Sequence, residues 1–111
     1  MQAGRLKYRV YFDEPVTSQS TSGEETITWT ESMHLFASVE PLRGRERLVA
    51  DQINADIDTR IRIRWSTDAD RINAKWRARF GSVVYNIKSV AHINLAQREI
   101  EIMATSGLNS G

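Results

Sequence analysis

Apolar and polar residues alternate with a period of two along most of this chain, and that period limits what it can fold into. Ile61, Ile63 and Trp65 interleave with Arg60, Arg62 and Arg64. In an extended chain successive side chains point to opposite faces, so this segment has one apolar face and one cationic face. Leu6, Tyr8, Val10 and Phe12 alternate in the same way with Lys7, Arg9 and Tyr11, and Ile27 and Trp29 with Thr26, Thr28 and Thr30. Met33, Leu35, Ala37 and Val39 form a further strand, which the preceding one enters through a bend or bulge. Ala74, Trp76, Ala78 and Phe80 then alternate with Lys75, Arg77 and Arg79. Val83, Tyr85 and Ile87 follow the Gly81-Ser82 hairpin turn, and Ile100 and Ile102 alternate with Glu99 and Glu101 at the end. A chain of 111 residues suits one domain. About six or seven short strands in that length predict a mainly β fold, a small antiparallel β-barrel, because closure removes exposed edges. A two-sheet sandwich is the alternative.

Five segments break the pattern. At Pro41 the chain loses a backbone donor, so the strand before it must stop or run to an edge. Gly44 permits a turn, and residues 45–54 then place Leu48, Val49, Gln52 and Ile53 on one edge at helical spacing. Residues 41–57 are therefore expected to form a helix-bearing insertion in a single domain spanning residues 1–104. Residues 13–25, rich in Ser and Thr with Pro15 and Gly23, read as a long mobile hairpin loop. Residues 68–71 read as a turn, 92–97 as a loop and 105–111 as a flexible tail.

The chemistry of the chain points away from catalysis. There are no cysteines and only two histidines, His34 and His92. These supply too few ligands for a transition-metal site, and no nucleophile or phosphate-loop motif is present. No cofactor is expected. Glu40 and Glu46 are separated by a turn, and Glu46 is better explained as an acid near a helix N-terminus than as half of an acid–base pair. No apolar run approaches the ~18 residues of a membrane span, and the start of the chain lacks the apolar core of a signal peptide. Net charge is +1, without the general basic excess of a nucleic-acid binder. Locally, however, Arg60, Arg62 and Arg64 make one basic stripe, and Lys75, Arg77 and Arg79 make another. If those strands paired, six cations would line one surface able to face DNA or an acidic partner. That is the alternative reading, a nucleic-acid-binding β-barrel. The competing expectation is neutralisation across strands by Glu99 and Glu101. Trp29, Trp65 and Trp76 all lie on apolar parities, which places them in the core.

The order of these features resembles the phage head–tail joining proteins, also called head closure, head completion or stopper proteins. The resemblance runs over roughly residues 3–104. It rests on Ala3-Gly4-Arg5-Leu6 before the first strand, Pro15, Gly23 and Thr28-Trp29, and the central stretch from Ala37 through Pro41-Leu42-Arg43-Gly44-Arg45-Glu46. Ala50, Gln52 and Ala55 follow, then Arg60 to Trp65, Arg71-Ile72 and Val84-Tyr85-Asn86-Ile87. Gly81-Ser82-Val83 departs from the family pattern, which has a basic residue after the glycine. The resemblance implies a structural virion protein, not an enzyme, that forms a ring with itself, six- or twelve-fold in the virion. It implies assembly in the bacterial host cytoplasm onto a portal or adaptor protein at the head–tail junction. There the ring would close the exit channel behind packaged phage DNA and offer a docking surface to a tail terminator or tail-tube protein. In that setting Glu40, Arg43, Arg45, Glu46, Leu48 and Ile53 are the candidate subunit or channel interface. The residue 13–25 segment is a candidate arm that orders on reaching a neighbour.

Overall fold

The computed structural model describes residues 6–44, 57–93 and 98–106. The strands are β1 (Tyr8–Gln19), β2 (Glu25–Pro41), β3 (Thr59–Arg64), β4 (Arg77–Phe80), β5 (Val83–Ile93) and β6 (Glu99–Ser106). All pairings are antiparallel, and the order β1-β2-β3-β6-β5-β4 closes on itself through β1 and β4 to make a barrel. The expected architecture is the one observed, with six strands among the described residues. The chain makes two successive meanders, β1-β2-β3 and β4-β5-β6, sewn together along β3–β6 and β4–β1.

Alternation decides which side chains fill the barrel. Val10 and Phe12 from β1, Ile61 and Ile63 from β3, and Ile100 and Ile102 from β6 are all fully buried. The β3–β4 connection adds to the same core. Its 3₁₀ turn, Ala69–Arg71, carries the buried Ala69, and Ile72 and Trp76 follow it inward. The sharp β4–β5 turn places Gly81 at a φ of +63°, the left-handed region that glycine enters without steric cost.

Two expectations about loops are corrected. Residues 13–25 are not a long loop: β1 runs to Gln19 and pairs rung by rung with β2 as far as Gln19↔Glu25, leaving only residues 20–24 as the turn. Pro15 fits because a two-stranded ribbon has a free edge on each strand, where a missing N–H costs nothing. The bend expected in β2 is a bulge, for Phe12 faces Met33 and Asp13 faces Glu31, which leaves Ser32 as the extra residue. β4 pairs with β1 only at Tyr11, Phe12 and Asp13, so beyond Asp13 the two strands leave the barrel as a free arm. Likewise, β5 extends through His92 to Ile93, where a loop was expected. Lys75 lies in the turn before β4 and not within the strand.

The two legs of the residue 41–57 segment are pinned to the barrel. β2 ends at Pro41, as its missing donor dictates, and Gly44 has a φ of +56°. Leu42 and Ile57 form a second small apolar cluster with Met103, separate from the main core. The Leu42 N–H donates to the Asp58 carbonyl at 2.9 Å, and the Asp58 N–H donates to the Ala104 carbonyl at 3.0 Å. The helix expected over residues 45–54 lies outside the described residues.

Asp58 also corrects the expected tail. Its carboxylate accepts hydrogen bonds from the Ser106 N–H at 2.9 Å and the Ser106 hydroxyl at 2.7 Å, and from the Thr59 hydroxyl at 2.8 Å. Thr105 is buried and Ser106 is the last residue of β6, so the strand persists where flexibility was expected. Replacing Asp58 by Ala is expected to cost about 1–3 kcal/mol, the penalty for orphaning these donors. In hydrogen exchange the loss is expected to concentrate at the Ser106 amide. Unchanged protection there would show that Asp58 does not hold the end of β6.

Candidate assembly surfaces

The two basic stripes project outward, as their parity predicts, but they do not share a surface. In the barrel order β3 lies between β2 and β6, whereas β4 lies between β5 and β1. The expectation of six cations lining one face is overturned by this topology, and with it the assembled groove that a nucleic-acid-binding barrel would need. Most of the cations are also neutralised. Glu101 lies 3.3 Å from both Arg60 and Arg62, and Glu40 lies 3.9 Å from Arg60. Arg64 is exposed and has no carboxylate partner among the described residues; Lys75 is exposed in its turn.

On the β4 side the neutralising group is one the sequence reading passed over. Asp13 is only 2% exposed, at the point where β1 leaves the barrel. Arg79 approaches it with two nitrogens, Nε at 2.7 Å and Nη2 at 2.9 Å, and the Arg77 Nε donates to the same carboxylate at 2.8 Å. The second contact of Arg79, at 2.9 Å, is with Glu31 across the bulge. Burial alone would raise the Asp13 carboxyl, but the hydrogen bonds and charges of Arg79 and Arg77 outweigh it and hold the pKa below its ordinary 3.8. The same contacts raise Arg79, chiefly through its bond to Asp13.

Aromatic rings complete this root. Arg77 lies over Trp29 with its guanidinium carbon 4.7 Å from the ring centroid, and Arg79 lies over Tyr11 at 5.4 Å. Arg71 bonds Glu14 at 2.9 Å and covers Trp76 at 5.5 Å. Trp76 is core and Trp65 packs against it, as expected. Trp29 is not: it sits on the arm, where no second layer of sheet covers it, and it is half-buried beneath Arg77. The signal that would have exposed this cluster was available. Six outward cations demand more than two glutamates, and Asp13, Glu14 and Glu31 are the acids placed along neighbouring strands.

Of the candidate interface residues, Glu40 lies opposite Arg60 near the end of β2, and Arg43 is exposed just beyond the strand. Arg45, Glu46, Leu48 and Ile53 lie outside the described residues. His34 stacks on Tyr11 with centroids 5.4 Å apart, and the His92 Nε2 lies 2.9 Å from Asp70 Oδ1. Among the described residues no acidic or histidine cluster is placed to hold a metal ion, and no helix is long and apolar enough to cross a membrane.

The described residues thus form a closed six-stranded barrel with a projecting ribbon, in which four of the six stripe cations are committed to ion pairs. Residues 1–107 match the family model of the phage head completion protein, and the chain belongs to that family, whose members are structural proteins of the phage particle. Among solved structures it is similar to protein SF1141 from Shigella flexneri 2a, at 26% identity and a TM-score of 0.76, over 99% of this chain and 100% of that one. It also shares its fold with a chain of the virion of a native gene transfer agent particle, at 17% identity and a TM-score of 0.65, covering 95% of this chain and 98% of the other. No curated protein matches.

The Asp13 cluster has a definite pH signature. Its folded pKa is depressed, so its stabilisation is fully present above the unfolded value near 3.8 and is lost as pH falls through the folded value. The acid limb of the wild-type stability curve is therefore expected to steepen below about pH 4, and Asp13→Asn is expected to flatten it. At neutral pH, Asp13→Ala is expected to cost about 3 kcal/mol, the low end for breaking a buried pair, since Arg79 can reach solvent. Urea denaturation across pH checks both. An acid limb unchanged by Asp13→Asn would rule out this role.

Proposed function

We propose that this protein is a ring-forming component of the head–tail junction of a tailed phage. In this reading copies of the chain assemble in the bacterial host on a portal or adaptor protein. They close the DNA exit channel once packaging is complete and present a docking surface to the tail terminator or tail-tube protein. Membership in the phage head completion protein family carries the reading. The fold shared with a gene transfer agent virion chain adds to it.

The architecture offers such a ring two separate devices. The barrel supplies a rigid body that carries the arm and anchors both legs of the residue 41–57 segment. The insertion begins at the anchored Leu42 and ends at the anchored Ile57, so change within it need not disturb the barrel. Such an element could respond to channel closure by switching between arrangements. Glu40, Arg43, Arg45, Glu46, Leu48 and Ile53 are its proposed contacts with neighbouring copies or the channel.

Phage made without this protein are expected to yield heads that lose DNA and fail to accept tails, seen by electron microscopy and nuclease sensitivity. Normal tailed, infectious particles would overturn the proposal. Leu48→Asp and Ile53→Asp are expected to leave the isolated barrel's thermal unfolding nearly unchanged while abolishing DNA retention. If either variant unfolds the barrel, the insertion is ordinary core and not a gating element.

A further inference from the structure

Two surfaces of this chain are complementary to each other and cannot meet within one copy. The first is the arm. Residues 13–31 contain no Lys or Arg. Asp13, Glu14 and Glu31 are satisfied at its root, but Glu24 and Glu25, at and beside the turn, have no cation partner among the described residues. Close by, Ile27 is 59% exposed, and Val16 on the other strand of the ribbon is 45% exposed.

The second surface lies on the barrel wall. Phe36, 54% exposed, stands on the outward face of β2. Its rung partner Arg9 covers one side of the ring, 5.3 Å from the centroid. Phe36 and Arg64 also share the lining of an open depression of about 390 Å³, together with Leu6, Leu35 and Trp65. Arg9 and Arg64 have no carboxylate partner among the described residues, in contrast to the neutralised Arg60, Arg62, Arg77 and Arg79. Among the described residues the wall thus offers the exposed Phe36 and two cations without a carboxylate partner, and the arm offers the exposed Ile27 and two carboxylates without a cation partner.

Both Ile27 and Phe36 lie on the same continuous strand β2, nine residues apart, so about 30 Å of extended backbone separates them. A chain cannot fold its own arm onto its own wall without breaking that strand. We infer that the arm of one copy docks on the Leu6, Phe36, Arg64 and Trp65 depression of the next copy, with Ile27 against Phe36 and Glu24 and Glu25 facing Arg9 and Arg64. This inference rests on the proposed ring. It is a head-to-tail contact between two different patches, the kind that generates rings when the rotation closes. The charge pairs fix register and exclude the like-charged alternative of arm against arm.

The test uses phage particles complemented with variant protein. Glu24→Arg with Glu25→Arg is expected to lower the amount incorporated into particles by at least about tenfold, as like charges meet across the contact. Arg9→Glu with Arg64→Glu is expected to do the same, and the four changes together are expected to restore incorporation. Failure of the combined variant to exceed either pair would overturn the contact. All four positions are exposed, and melting curves of the purified variants check that they fold.

Because the chain has no cysteine, a single introduced pair reads out proximity cleanly. Thr17→Cys, the rung partner of Ile27, and His34→Cys, on the outward parity of Phe36, are combined in one chain. A short bismaleimide is expected to give a ladder of multimers of this protein in particles, and neither single variant is expected to do so. Tailed particles containing the protein but giving no ladder would overturn the arm contact and leave the head–tail reading standing. Crosslinking of His34→Cys to a cysteine of a different virion protein, in place of the ladder, would also overturn the contact. Absence of the wild-type protein from tailed particles would overturn both.

Discussion

The structure depends most on a single buried carboxylate. The barrel closes where β1 meets β4, and that seam consists of only three rungs, Tyr11↔Arg79, Phe12↔Ala78 and Asp13↔Arg77. Two of those rungs bring an outward arginine to β1, and both arginines converge on Asp13. A seam so short has few backbone bonds to share, so the side chains at its end matter more than they would in a longer ladder. Asp13 holds β4 in place. It also stands at the bulge where β1 and β2 turn away from the barrel, so the same group that closes the barrel roots the arm. Glu31 and Trp29 extend the root onto the other strand of the ribbon, through Arg79 and Arg77.

Charge on this molecule is therefore divided into two populations. Arginines near the seam and on β3 are committed to ion pairs that hold strands together. Those pairs include partly buried groups whose desolvation offsets much of their attraction, so their value lies more in fixing geometry than in net stability. Among the described residues, Arg9, Arg64 and the arm-tip glutamates take part in no ion pair. An overall charge of +1 hides the distinction, because it averages satisfied and unsatisfied groups. The separation of β3 from β4 by the topology matters equally: stripes that look additive in sequence face different directions around a closed barrel.

Much of the fold was legible because alternation is a direct record of two-faced strands. The inward sets on β1, β3 and β6 follow from parity alone, the stop at Pro41 from its missing donor and the turn at Gly81 from glycine's access to positive φ. The arm was not legible, since Ser, Thr, Gly and Pro between residues 13 and 25 satisfy a turn as readily as a polar ribbon. Trp29 misled for a related reason. Parity says which face a side chain takes, but not whether anything covers that face, and on a two-stranded ribbon nothing does. Asp13 was hidden by the same misreading, since a loop aspartate has no assigned neighbours. The ends of β5 and β6 depended on contacts distant in sequence, such as Asp58 with Ser106, which no local pattern encodes. The family resemblance carried the functional reading further than the residues could, and the match over residues 1–107 bears it out at the level of the family.

The order observed in the arm changes the energetics of assembly. A disordered loop that folds against a neighbour must lose its backbone freedom at that moment, about 1–2 kcal/mol per residue. This arm is already paired from its root to its turn in the isolated chain. A lone two-stranded ribbon is marginal in water. The Asp13, Arg77, Arg79 and Glu31 cluster, with Arg77 over Trp29, supplies the anchorage that the ribbon lacks. Ordering is thus met by folding of the monomer and is not charged again on docking, so contacts made by the arm appear more fully as affinity. A stiff projection also has a defined direction. The bulge at Asp13 sets that direction relative to the barrel, and in a ring the angle between arm and barrel governs how many copies are needed to close. In the proposed ring, the residue that seals the barrel would in this way influence the geometry of the assembly.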